Sequence, residues 1–172
     1  WIQPGIDITV SDLSVDQALE RSRHPDDPTP AGSREGNWEG ALGLSWTLTD
    51  ANFHDLVFAD SGTDLPNSPM RAPSATWYLA TELPDGTTEP RTPTGAVVQD
   101  ASVNYQQGDD VTVELTILYG DEPDDVTAPA DADIQQPSEA AAYSWHGASF
   151  SVDGLNQPLM QSTTLSLSGL AR

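Results

Sequence analysis

The chain has 172 residues, enough for one domain with a core of its own. It holds 27 Asp and Glu against 6 basic residues, a net charge of −21, and no cysteine. Disulfides, thiolate metal sites and a cysteine nucleophile are therefore excluded, and with no apolar run near the ~18 residues of a span, no membrane insertion is expected.

Reading the chain in order, Ile6, Ile8 and Val10 alternate as a first strand. Residues 15–21 read as a short helix. Residues 22–37 carry His24-Pro25, Asp27-Pro28 and Thr29-Pro30 with Gly32 and Gly36, so an extended loop without regular structure is expected there. In 41–49, Leu42, Leu44, Trp46 and Leu48 fall on one face of a strand. Asp50 then caps a helix over 51–59, with Phe53, Leu56 and Val57 at helical spacing and Gly62 as its stop. Residues 65–73, with three prolines, form a turn-rich connection.

The second half repeats the strand rhythm. Residues 74–83 place Trp77, Leu79 and Leu83 together, and Asp85-Gly86 makes a hairpin turn. Residues 95–105 put Val97, Ala101, Val103 and Tyr105 on one face; a turn around Gly108 leads to 111–119, with Val111, Val113, Leu115, Ile117 and Tyr119 aligned. An acidic surface loop spans 120–142, and 144–152 and 161–170 read as weaker strands rich in Ser and Thr. About seven strands with one packed helix give a mainly β fold, a sandwich or barrel with one flanking short α-helix and a long extended loop. No linker divides the chain, so residues 1–172 read as a single domain. It opens on Trp1, and residues removed or lying outside this sequence are expected to precede it.

All six basic residues are arginine: Arg21, Arg23, Arg34, Arg71, Arg91 and Arg172. An acidic, lysine-free chain reads as a protein adapted to molar salt, where the Debye length falls to ~3 Å and self-repulsion fades. An unusually acidic mesophilic protein is the alternative. Either way, a basic groove gripping phosphates is excluded.

Catalytic signatures are absent. Without lysine there is no P-loop, and no dinucleotide fingerprint or serine-hydrolase elbow occurs. His24, His54 and His146 lack zinc spacing, and His54 is expected to pack on its helix. Asp124-Asp125, Asp131-x-Asp133 and Asp109-Asp110 lack the calcium-loop pattern and read as solvated acidic turns. No cofactor or metal is expected, and no enzyme activity. Of five tryptophans, Trp46 and Trp77 follow apolar faces and belong to the core. Trp1 and Trp38 are candidate interface anchors, Trp38 because it follows the arginine-bearing loop.

Four stretches in succession resemble tail tube proteins, the major tail proteins of tailed viruses of bacteria and archaea. They are Glu39-Gly40-Ala41-Leu42-Gly43-Leu44-Ser45-Trp46-Thr47-Leu48, followed by a short helix; Thr94-Gly95-Ala96-Val97-Val98-Gln99-Asp100-Ala101-Ser102-Val103; Val111-Thr112-Val113-Glu114-Leu115-Thr116 after the Gly108 turn; and Ala148-Ser149-Phe150-Ser151-Val152-Asp153-Gly154 with Ser162-Thr163-Thr164-Leu165-Ser166-Leu167. The resemblance covers residues 39–170. The lack of lysine, which fits a halophilic host, and the acidic insert at 121–133 depart from it.

The resemblance implies a structural virion protein without catalytic residues, located in the tail. It implies rings, hexameric in that family, that stack into a hollow tube. Its partners would be copies of itself, other tail proteins at the head connector and tail tip, and the tape-measure protein and viral DNA transiently in the lumen. An extended loop reaches the neighbouring ring in such tubes. Here that loop is 22–37, with Arg21, Arg23, Arg34 and Trp38 as the expected inter-subunit residues. Two alternatives stay open: another β-sandwich tail component (distal tail, terminator or decoration protein), and a secreted halophilic module binding carbohydrate or ions.

Overall fold

The computed structural model describes residues 1–23, 30–50, 54–58, 72–123, 126–137, 142–144, 151–152, 155–156 and 161–170. In chain order the elements are β1 (Ile6–Arg23), β2 (Pro30–Thr47), α1 (His54–Val57), β3 (Ser74–Ala75), β4 (Leu79–Glu82), β5 (Thr88–Arg91), β6 (Ala96–Gln106), β7 (Thr112–Tyr119), β8 (Ser151–Val152), β9 (Leu155–Asn156) and β10 (Ser162–Ser168). The fold is mainly β with antiparallel sheets, as the alternation predicts. One six-stranded sheet runs β1-β2-β7-β6-β10, and β3 extends it beside β6; β4 with β5 and β8 with β9 form separate two-stranded ribbons.

Register explains the core. Leu13, Leu42, Ile117 and Val98 lie opposite one another across four strands, and Leu44, Leu115, Ala101 and Leu167 form the next such row. Leu42, Leu44, Trp46, Val113, Leu115 and Ile117 are almost wholly buried. Leu56 of α1 and Phe58 just after it, together with Trp77 and Leu79, pack against this face, and Val57 of α1 lies within it. The helix holds one turn, closed by the Phe58 N–H donating to the His54 carbonyl at 2.7 Å. Its expected start at 51–53 and its stop at Gly62 lie outside the described residues, as do most of 65–73.

Three expectations are corrected. Residues 15–21 belong to β1, not to a helix, and the supposed loop is largely paired strand, residues 22–23 in β1 and 30–37 in β2. Cross-strand hydrogen bonds override the local turn signals here. Pro30 opens its strand, where a missing N–H is tolerated, and Pro25 and Pro28 lie outside the described residues. In β6 the buried residues are Ala96, Val98, Ala101 and Val103, so Val97 is not on the core face. A bulge between Val98 and Asp100 inserts one residue and reverses the alternation, a shift that periodicity alone misses.

The expected strand at 74–83 is likewise split into β3 and β4. Trp77 and Leu79 pack on the core, while Leu83 is exposed at the hairpin turn. That turn is closed by Asp85, whose carboxylate accepts from the Thr87 N–H at 2.9 Å and hydroxyl at 2.6 Å; these bonds hold its pKa below the ordinary value. Gly86 and Gly108 take positive φ, as their turns require. Of the strand expected over 144–152, Ser144 makes an isolated bridge to Asp110 and Ser151–Val152 forms β8, while 145–150 lie outside the described residues.

Candidate interaction surface

Beyond the end of β7 the first hairpin leaves the sheet. Gly40 is the last residue of β2 to pair with β7, opposite Tyr119. From Asp16 opposite Glu39 to Arg23 opposite Pro30, β1 and β2 have only each other among the described residues. At ~3.4 Å per residue this two-stranded arm reaches on the order of 30 Å past the sheet. Register places Arg21 opposite Ser33, Arg34 opposite Glu20, Arg23 opposite Pro30 and Trp38 opposite Gln17. Three arginines are thus brought to the outer part of one ribbon and Trp38 to its root. Their side chains lie outside the described residues.

The sheet itself ends in two open edges. Among the described residues nothing pairs with the far side of β1 or of β10. Along the β1 edge Ile8, Val10 and Val15 are exposed, and on β10 so is Leu165. These are unsatisfied pairing templates, which soluble proteins ordinarily protect.

The sheet face opposite the core is a surface that sequence reasoning did not single out. Ser11, Ser45, Glu114, Thr116, Asp100 and Ser166 line a shallow cavity of about 490 Å³ across five of the six strands. Ser102 donates its hydroxyl proton to Glu114 at 3.3 Å, and the Gly169 N–H donates to Asp100 at 3.2 Å. Among the described residues no arginine borders it. The signal was present as the polar half of each alternation, but only register shows that five such halves make one surface.

At the root of the arm stands a partly buried cluster. Arg91, closing β5, grips Glu122 through two hydrogen bonds of 2.5 Å, Nε to Oε1 and NH2 to Oε2. The Tyr119 hydroxyl lies 3.4 Å from both the Glu122 carboxylate and the Ser14 carbonyl of β1. Hydrogen bonding to Glu122 raises the Arg91 pKa against the opposing effect of burial, and burial followed by the Glu122 charge raises that of the Tyr119 phenol.

Among the described residues no group of three or more His, Asp or Glu is placed to hold a metal. Asp131 and Asp133 sit exposed on a single 3₁₀ turn, and Asp124-Asp125 lie outside the described residues. His54 stacks edge-on against Phe58, with ring centroids 5.5 Å apart; His24 and His146 are outside the described residues. No described helix is long and apolar enough to cross a membrane. No protein-family model matches the chain, and comparison with curated proteins finds no significant relative.

Proposed function

We propose that the chain is a structural subunit that joins copies of itself into stacked rings, forming the hollow tail tube of a virus with a halophilic host. The observation that carries this reading is a six-stranded antiparallel sheet with no partner on its β1 or β10 edge among the described residues, and a two-stranded arm projecting from the β1 side. An open β1 edge of one copy set against the β10 edge of the next is a head-to-tail contact, which closes as a ring when the rotation allows. Edge pairing would also remove the exposed templates. A lone two-stranded ribbon is marginal in water, so the arm gains most by lying on a neighbour. Arginines near its tip would meet surfaces that are mostly acidic, where guanidinium–carboxylate pairs supply register as well as attraction.

The hydroxyl- and carboxylate-bearing sheet face suits the lumen of such a tube. Among the described residues that line it there is no cation to displace the counterions of passing DNA, so DNA is not held there. Six copies at −21 carry −126, and a ring of that charge needs strong screening to close. The test is electron microscopy of purified protein in about 3 M salt, where the Debye length is below about 3 Å. Rings or tubes are the expected result; a dispersed monomer at every concentration would overturn the reading.

A further inference from the structure

We infer that Tyr119, Glu122 and Arg91 act as a clamp that fixes the direction in which the β1–β2 arm leaves the sheet; the functional consequence rests on the tube reading above. The cluster sits where three elements part. Tyr119 ends β7 and lies against Gly40, where β2 loses its second neighbour. The fit is so close that a Cβ on Gly40 would clash with the Tyr119 ring, 2.3 Å from two of its carbons. The hydroxyl of the same ring reaches the Ser14 carbonyl on β1, so one side chain touches both strands of the arm at its root.

Glu122 and Arg91 hold that ring in place from behind. Arg91 belongs to the β4–β5 ribbon, opposite Leu79, which packs on the core. The segment before Glu122 is tied down as well: the Thr94 N–H donates to the Asp121 carbonyl at 2.8 Å, and the Gly120 N–H to the Thr94 carbonyl at 3.3 Å. The Glu122 side chain is only 15% exposed and that of Arg91 29%, so molar salt screens this pair less than a surface pair. A bidentate guanidinium–carboxylate contact fixes orientation as well as distance. An arm reaching on the order of 30 Å magnifies any change of angle at its root. These are positioning residues, and the contact they serve is made at the far end.

Hydrogen exchange on the full chain in molar salt, below the concentration of assembly, tests the clamp directly. Glu122→Gln removes the charge and keeps the shape; Tyr119→Phe removes only the hydroxyl. Both are expected to speed exchange of arm amides in 15–23 and 31–39 by about tenfold or more, while amides pairing β6 with β7 stay as in the wild type. The double exchange Arg91→Glu with Glu122→Arg is expected to restore slow exchange. Wild-type exchange in the arm of both single variants would overturn the proposal, as would an equal acceleration throughout β6 and β7. So would tubes of normal length and regularity formed by Glu122→Gln. Absence of tubes from the wild type overturns the assembly reading instead, and the exchange result still decides the clamp.

Discussion

Gly5 lies flat against the indole of Trp46, so closely that a Cβ there would stand 2.3 Å from Cδ1 and 2.4 Å from the neighbouring Thr47 carbonyl. Trp46 is 1% exposed and central to the core, and the carbonyl is backbone within β2. Neither can yield cheaply. Gly5→Ala is expected to cost about 1–3 kcal/mol by overpacking, read as a lowered Tm in molar salt. An unchanged Tm would mean that the start of β1 is free to lift from the core.

A pair of neighbouring residues in β7 separates the two sheet faces. Ile117 is wholly buried between Leu42 and Val98, whereas Leu118, the next residue, is 37% exposed. Ile117→Ala is expected to destabilise by about 2–5 kcal/mol through lost burial and a cavity. Leu118→Ala should stay within about 0.5 kcal/mol. Denaturant unfolding of both variants checks the assignment of faces, since a reversed sheet would exchange the two results.

Much of this arrangement is legible in the sequence, and the failures have identifiable causes. Alternation in 41–49 and 111–119 predicts the buried rows because both segments are central strands with one apolar face. Alternation fails in β6 because one bulged residue reverses it, and Val97 and Val98 are equally apolar on paper. The arm fails for a different reason. Gly32, Gly36 and three prolines are local signals, while pairing of Leu19 with Glu35 and Arg21 with Ser33 depends on residues distant in sequence. The Arg91–Glu122 contact joins residues 31 apart, and no motif announces it.

Alkaline titration should register the burial of Tyr119. Its phenol pKa is raised above the ordinary 10.0, first by burial and then by the Glu122 charge. The folded chain therefore keeps this proton after the unfolded chain has lost it. The associated stability is complete below pH 10.0 and drains away as pH rises through the folded value. Spectroscopic titration of tyrosinate in molar salt is expected to show a step above the ordinary phenol range, together with loss of arm protection. Tyr119→Phe should remove that step. Its absence from the wild type would contradict the burial.

Salt should act on the arm at a particular pair. Asp16 and Glu39 stand directly opposite at its root, and both are exposed. Like charges facing across a ladder destabilise it. Their repulsion is largely screened in molar salt and returns as the Debye length grows to about 10 Å near 0.1 M. Glu39→Gln is expected to slow arm exchange in dilute buffer and to change nothing in molar salt. An equal effect at both ionic strengths would show that charge is not the cause.

Removal of the arm separates its role from that of the sheet. The pairing of Asp16 with Glu39 offers a place to cut, and an Asn-Gly turn replacing residues 17–38 closes that register as a tight hairpin. The buried core residues lie in 42–48, 57, 96–103 and 111–119, outside the deleted segment, so the shortened chain is expected to fold with nearly the wild-type Tm in molar salt. Edge pairing through β1 and β10 remains available to it, and isolated rings are an acceptable product. Stacking should be lost, because the segment bearing Arg21, Arg23, Arg34 and Trp38 is gone. Electron micrographs and light scattering distinguish the two outcomes. Tubes of wild-type length from the armless chain would reduce the arm to a passive hairpin and return the inter-subunit contacts to the sheet alone.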